Sequence, residues 1–366
     1  GESALDASVS GGNNTAIGKN ALTTLTSGIQ NVAIGASCMD AQTTANSNVG
    51  IGFEALTAAT TGNSNTAVGV RASAALTDAT NTTALGFDAL RNNTGIDNTA
   101  VGSTALDANT SGTNNSALGK NALGANTTAS NNTAIGKDSL AANTTGGLNT
   151  AVGSGALDAN TTGNQLTAIG KDALGANTTA SFNTAIGDSA LKVNTTGSQN
   201  IAIGTNCLDA NLTGNYNVSI GVNSLTANTT ANNNTAVGAD GLKLNTTGAS
   251  NTSVGAFALD ANTTASDNTA VGSAALGANT TGSSNTAMGG GSLLDNTTGS
   301  QNTAIGHRAL FENTTANYNT AVGYEALKLN TTGTTNVGVG SFALQVNTTG
   351  GSNTSIGYSA LDANWT

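Results

Sequence analysis

Few residues in this chain could carry out chemistry, and their spacing argues against a catalytic site. His307 is the only histidine in 366 residues, and no group of cysteines or carboxylates accompanies it in the sequence. A zinc site needs about four such ligands, and a catalytic triad needs a base beside a nucleophile. The Gly289–Gly291 run lacks the strand-and-helix context of a phosphate-binding loop. We therefore predict no catalytic residue, no cofactor, no metal site and no enzymatic activity.

The most regular candidate site is the sequence Asn-x-Ser/Thr, which recurs in 17 consecutive repeats from Asn92 to Asn364. In exported proteins this sequence accepts N-linked glycans. The structural alternative is an asparagine ladder, in which amides of successive repeats hydrogen-bond and close a turn. We favour the ladder, because a turn requires Asn and Thr for its own geometry. The candidate acceptors are Asn109, Asn126, Asn143, Asn160, Asn177, Asn194, Asn211, Asn228, Asn245, Asn262, Asn279, Asn296, Asn313, Asn330 and Asn347.

Aspartate recurs more slowly, once every three repeats. Asp107, Asp158, Asp209 and Asp260 are each 51 residues apart. In stacked repeats that advance about 4.8 Å each, like carboxylates would lie about 14 Å apart. Calcium is bound by oxygens at about 2.3–2.6 Å, so these residues could not share an ion. Duplication of a three-repeat block explains the spacing better than metal binding does.

Two cysteines occupy equivalent positions ten repeats apart. Cys38 and Cys207 both precede the Leu position of their repeats, which Met39 fills in the first case. Stacked repeats would place the two cysteines about 48 Å apart, whereas a disulfide requires Cα atoms within about 7 Å. An intrachain disulfide is therefore excluded. We expect two buried thiols, with an interchain disulfide in an oligomer as the alternative.

These residues are all positioned by one 17-residue repeat with the consensus N-T-A-V-G-x-x-A-L-x-x-N-T-T-G-x-x. Its glycine recurs 22 times between Gly1 and Gly357, always 17 residues apart except for one 16-residue step between Gly86 and Gly102. Leu follows four residues after almost every such glycine. We call each repeat a coil and number its positions from 1, the first Asn, to 17. A chain of such coils is the signature of a repeat protein.

Composition agrees with a solenoid and excludes several classes. The chain is 37% hydrophobic, 8% charged and 3% aromatic, with 48 Gly and no Pro. That is too little bulk for a conventional core, and a net charge of −10 is low for a disordered chain of this length. A pI near 4.2 gives no electrostatic footprint for nucleic acid. No apolar run of about 18 residues is present, so we predict no membrane insertion.

Alternating residue types predict short strands rather than helices. In Asn31-Val32-Ala33-Ile34-Gly35, Val32 and Ile34 share one face, which we expect to point inward together with the Leu of each coil. Leu327-Lys328-Leu329 predicts a second strand in each coil, and the Gly and the N-T-T-G segment supply the turns. The predicted fold class is an all-β, parallel β-solenoid of about 21 coils. It forms one rod over residues 1–366. The coils over 1–91 are less regular and lack the recurring Asn-x-Ser/Thr column, and those over 92–366 are regular.

The repeats of this chain resemble those of two protein families. Asn200-Ile201-Ala202-Ile203-Gly204 is similar to the N-S-V-A-I-G signature of YadA-like adhesin heads. Asn319-Thr320-Ala321-Val322-Gly323-Tyr324-Glu325-Ala326-Leu327 with Asn330-Thr331-Thr332-Gly333 resembles repeats of tail-fibre proteins. The first resemblance implies a trimeric, left-handed parallel β-roll on a bacterial surface. The second implies a fibre whose repeats often precede an intramolecular chaperone domain of the endosialidase type.

These observations predict a structural rod of an extracellular or virion-surface fibre that attaches to a host or surface. The expected partners are copies of the chain itself, as a homotrimer or filament, and an unidentified cell-surface receptor or glycan. A bacterial surface adhesin or a glycosylated extracellular filament is the alternative. Ice binding is a minor alternative, because Thr at position 2 alternates with Val and Ile and is expected to point inward. Since neither end shows a polar cap, we also expect flanking sequence beyond Gly1 and Thr366.

Overall fold

A computed structural model describes residues 1–7 and 9–362, and these residues divide into two compact units between Phe182 and Asn183. Every strand has three residues and starts at position 2 of its coil, and no described residue is helical. The strands of the first unit are β1 Thr15–Ile17, β2 Val32–Ile34, β3 Val49–Ile51, β4 Thr66–Val68, β5 Thr83–Leu85, β6 Thr99–Val101, β7 Ser116–Leu118, β8 Thr133–Ile135, β9 Thr150–Val152 and β10 Thr167–Ile169. Those of the second are β11 Thr184–Ile186, β12 Ile201–Ile203, β13 Val218–Ile220, β14 Thr235–Val237, β15 Thr252–Val254, β16 Thr269–Val271, β17 Thr286–Met288, β18 Thr303–Ile305, β19 Thr320–Val322, β20 Val337–Val339 and β21 Thr354–Ile356.

Within each unit, successive strands pair in parallel and in register. Thr133 of β8 lies opposite Thr150 of β9, and Thr235 of β14 lies opposite Thr252 of β15. The 16-residue step leaves this register intact, because Thr83 of β5 still pairs with Thr99 of β6. Both units are therefore parallel β-solenoids, as the 17-residue period predicts.

The strand faces are the reverse of the prediction from alternation. Ala at position 3 is buried, whereas the residues at positions 2 and 4 lie on the outer face. Position 3 faces the Leu of the preceding coil: a Cβ built on Gly338 would lie 3.3 Å from the Cγ of Leu327. Leu fills the interior so completely that the opposing strand residue has room for a methyl group and little more. The prediction that Val32 and Ile34 point inward is therefore wrong.

The predicted second strand is also wrong, because the Leu segment is a turn. Leu327 and Leu344 have φ of 50° and 51°, a left-handed conformation that interrupts an extended backbone. Leu rarely adopts this conformation, which costs about 1–3 kcal/mol. Here the turn directs the side chain into the coil, and the Leu column is fully buried from Leu22 to Leu344 wherever Leu is present. The burial predicted for Leu208, Leu225 and Leu242 is confirmed.

Glycine at position 5 is required by the close approach of neighbouring coils. Gly289 has φ of 135°, and a Cβ added to it would lie 2.6 Å from the carbonyl carbon and oxygen of Gly306. No side chain fits at that distance, and only glycine adopts this backbone conformation readily. The next residue, Gly290, has no such constraint, since its nearest neighbour would be His307 at 3.6 Å.

Candidate functional site

The outer strand face is the surface that differs most from that of an ordinary soluble protein. It consists of positions 2 and 4 of every strand, and we call it the Thr/Val/Ile face of each unit. None of the described strands contains a charged residue. Large apolar side chains recur on this face, with Leu118 50% exposed, Ile135 40% and Ile305 39%. Single exposed apolar residues are common, but a contiguous apolar patch marks an interaction surface.

Parallel pairing aligns identical residue types along this face. Val254 of β15 lies beside Val271 of β16, and Thr252 lies beside Thr269. Adjacent residues of one type are separated by the strand spacing of about 4.8 Å. The Thr column is half-buried to exposed, so the expectation that it lies inside the solenoid is wrong. Each unit therefore presents parallel columns of Thr and of Val or Ile to solvent.

The candidate acceptor asparagines form the predicted ladder within each unit. In the second unit, Nδ2 of Asn228 donates to Oδ1 of Asn211 at 2.8 Å and to the carbonyl of Ala231 at 3.2 Å. Oδ1 of Asn228 accepts from Nδ2 of Asn245 at 3.2 Å. The same pattern links Asn109 to Asn177 in the first unit and Asn194 to Asn347 in the second.

All fifteen candidates are 0% exposed. They are Asn109, Asn126, Asn143, Asn160, Asn177, Asn194, Asn211, Asn228, Asn245, Asn262, Asn279, Asn296, Asn313, Asn330 and Asn347. Glycan attachment uses the same Nδ2 atom that the ladder occupies, so a modified asparagine could not keep its place in the folded coil. Glycosylation of these residues stays a hypothesis that the folded structure disfavours.

The ladder starts one residue later than the 17-residue spacing of the sequence would place it. Asn93, not Asn92, accepts from Nδ2 of Asn109 at 2.6 Å, because the 16-residue step shifts the register by one residue. Asn92 is exposed and donates to the carbonyl of Asp107 at 2.9 Å. The earlier coils fill the same position with other residues: Leu25, Ala59 and Leu76 are buried there. Asn364 and Ser8 lie outside the described residues.

Several Asn-x-Ser/Thr sequences outside the ladder column are exposed, and they could not be told apart from it by periodicity alone. They arise where position 17 is Asn. The next residue is then the Asn at position 1, except after Asn81, which precedes Thr82 and Thr83. The signal was present in the sequence, but the stronger periodicity of the ladder column obscured it. The exposed examples are Asn13, Asn81, Asn114, Asn131 and Asn233.

The aspartate column is half-buried and electrostatically unfavourable. Burial raises the pKa of the Asp107, Asp158, Asp209 and Asp260 carboxyls above the ordinary value, and backbone hydrogen bonds oppose this only partly. Oδ1 of Asp209 is buried without a hydrogen-bond partner. No group of three or more metal-ligating side chains occurs among the residues that the structure describes.

Both cysteines are free and buried in the coil interior. Burial raises the pKa of the Cys38 thiol to about 12, so almost no reactive thiolate is present at neutral pH. The Cys207 thiol lies 2.9 Å from Oγ of Ser219, which replaces the usual Ala at position 3. A thiol in this position would have to leave its own coil to reach another chain.

Comparison with protein-family models and with curated proteins finds no match to this chain. The described residues contain no helix long and apolar enough to cross a membrane. The fold and its surfaces are therefore the basis for any functional conclusion. They define a repeat protein of the β-solenoid class, an architecture typical of structural proteins.

Proposed function

We propose that this protein is the structural rod of an extracellular or virion-surface fibre that attaches to a host or surface and has no enzymatic role. The observation that carries the proposal is the uncharged Thr/Val/Ile face, which repeats in every coil and is open to solvent in the single chain. A free surface of this kind favours association, because burying apolar area contributes about 25 cal/mol per Å².

A second copy of the chain is the partner that fits this face best. Two or more chains aligned in parallel would match coil for coil along this face, since all copies share one axial spacing of equivalent residues. Closed symmetry buries the same face on each copy and leaves none open, and three chains around an axis satisfy this requirement. We therefore propose a homotrimer held together through the Thr/Val/Ile face.

Two substitutions on either side of Gly221 test this assignment. Ile220→Lys places a charge on the Thr/Val/Ile face, whereas Val222→Lys places one at position 6, where Lys120, Lys137 and Lys171 already occur. The two native side chains are similarly accessible, at 36% and 50% exposed. Light scattering should give a reduced molar mass for Ile220→Lys and an unchanged mass for Val222→Lys. An unchanged mass for both variants would contradict the assignment.

A bacterial surface adhesin or extracellular filament would use the same architecture, and residues in a uniform solenoid do not separate it from a viral fibre. Labelling with an antibody against the solenoid would distinguish them, since it would mark virus particles in one case and cell surfaces in the other.

Ice binding is a second candidate that the structure favours more than the sequence did. The Thr column lies on a regular, uncharged outer face, which is the arrangement needed to order water on a lattice. Thermal hysteresis of the purified protein tests this function. Hysteresis that Thr252→Lys abolishes would support ice binding, whereas its absence would leave the fibre as the function.

A further inference from the structure

Aromatic residues are concentrated at one part of the second unit. The chain has only 6 Phe, 4 Tyr and 1 Trp, and positions 6 and 7 of most coils hold small, polar or charged residues. The four coils after Gly306 depart from this pattern at these positions with His307, Tyr324, Phe342 and Tyr358, which we call the aromatic strip. The fold does not need these rings, because Ser occupies position 6 at Ser341 and position 7 at Ser189.

The four rings form a continuous surface. His307 stacks on Tyr324 with centroids 5.6 Å apart and an interplanar angle of 10°. Tyr324 meets Phe342 edge-on at 5.3 Å, and Phe342 meets Tyr358 edge-on at 5.9 Å. Tyr324 remains 46% exposed, so its ring is available to a ligand. The separations are comparable to the length of one hexopyranose unit in an extended chain.

A set of fixed polar groups borders the strip. The carboxylate of Glu325 accepts from Nζ of Lys328 at 3.1 Å and from Nε2 of Gln345 at 2.8 Å. Arg308 lies 3.9 Å from the same carboxylate and 4.8 Å above the ring of Phe311. Glu325 is only 7% exposed, and its contacts hold these donors in place. Arg308 and Glu325 directly follow His307 and Tyr324 of the strip in the sequence. The cluster contains two cations, Arg308 and Lys328, and one carboxylate, Glu325.

We propose that the aromatic strip and its polar border bind a saccharide chain. Aromatic rings pack against the C–H faces of sugars, and the bordering amide, ammonium and guanidinium groups can hydrogen-bond hydroxyls, which is the mixture of apolar and polar groups typical of ligand sites. A single-stranded nucleic acid would also stack on rings but needs a basic groove, whereas this chain carries a net charge of −10. A second copy of the chain is not the ligand expected here, because we propose that it binds to the uncharged Thr/Val/Ile face instead.

This inference rests on the proposed attachment function and assigns it a ligand class and a location. The site would lie within the solenoid itself and would need no additional domain. It would recognise several consecutive sugar units, because the rings extend over four coils. A single monosaccharide would contact only part of the strip and bind weakly.

The test uses the intact protein on an array of oligosaccharides built from hexoses, N-acetylhexosamines and acidic sugars. The wild-type protein should bind at least one of them, and Tyr324→Ser combined with Phe342→Ser should lower the affinity for it by about tenfold or more. Phe53→Ser is the control. Phe53 lies at position 6 of a coil in the first unit, is 48% exposed and is not part of the row of stacked rings. This substitution should leave binding unchanged.

Binding to no saccharide, or equal binding by the double variant and the wild type, would overturn the proposal. Equal losses in the control and the double variant would also overturn it, because the strip would then have no special role. Sedimentation of the same samples separates this proposal from the fibre. A monomeric wild type that still binds through the strip would refute the homotrimer and keep the saccharide site, and a trimer without saccharide binding would do the reverse.

Discussion

The asparagine ladder can be tested at Asn228, where structure and glycosylation make opposite predictions. Asn228→Ala removes two donated hydrogen bonds and one accepted hydrogen bond from the interior of the second unit. Thr230→Ala removes the Thr of the same Asn-x-Thr sequence, but Thr230 is exposed and lies outside the ladder. Both changes abolish a glycan acceptor, and only the first disrupts the ladder.

The size of the effect follows from what each lost hydrogen bond leaves behind. Oδ1 of Asn211 loses its ladder donor and becomes a buried, unpaired acceptor, which costs about 1–3 kcal/mol. The carbonyl of Ala231 keeps a donor in Nδ2 of Asn217, and Nδ2 of Asn245 keeps the carbonyl of Gly248. Because these two groups each keep a partner, losing their bonds to Asn228 adds only about 1 kcal/mol in total. We expect a total of about 2–4 kcal/mol for Asn228→Ala.

Hydrogen exchange measured by mass spectrometry suits this test, because coils of a solenoid open locally and depend mainly on their neighbours. In Asn228→Ala, backbone amides of the coils next to residue 228 should exchange roughly thirty- to a thousandfold faster than in the wild type. Amides in Thr230→Ala should keep the wild-type rate. Equal protection in Asn228→Ala and wild type would refute the ladder, and a matching loss in Thr230→Ala would point to a stabilising glycan.

Three further predictions concern the interior and the charges. Leu225→Ala should lower the free energy of unfolding by about 2–5 kcal/mol in urea titrations, because Leu225 is fully buried, while Leu244→Ala should have little effect, because Leu244 is 50% exposed. Gly289→Ala should cost about 2–6 kcal/mol from strain and overpacking, whereas its neighbour Gly290→Ala should be tolerated; equal stability of the two variants in thermal melts would contradict the close approach of coils. The pKa of Asp209 is raised in the folded state, so its proton is bound more tightly there than in the unfolded chain, and stability should increase as the pH falls from neutral through that raised pKa. Asp209→Asn should reduce this pH dependence and stabilise the protein at pH 7; an unchanged pH profile would show that burial of Asp209 does not affect stability.

The sequence predicted the period, the parallel register and the Leu column correctly because each depends on spacing alone. Any fold that stacks 17-residue coils aligns equivalent residues, and Leu is the largest apolar residue that recurs in the repeat. The buried Leu column from Leu22 onward confirms this reasoning. The asparagine ladder could be predicted for the same reason, since buried amides at one position must find their partners in the neighbouring coils.

The strand faces could not be predicted, because alternation identifies two faces without showing which one is inside. Hydrophobicity favours Val32 and Ile34 over Ala33 as core residues, yet the coil interior is too narrow for them once Leu occupies it. That width is set by the left-handed conformation of the Leu turn, which is rare for this residue and absent from sequence propensities. The exposed Thr/Val/Ile face, which carries the functional proposal, follows directly from this local geometry.

Association of identical chains is the central claim, and sedimentation equilibrium of the wild-type protein at micromolar concentration measures it most directly. The trimer predicts a mass three times that of the 35.4 kDa chain, without dependence on loading concentration. A stable single species of 35.4 kDa would show that the Thr/Val/Ile face stays open in solution and would contradict the proposed fibre.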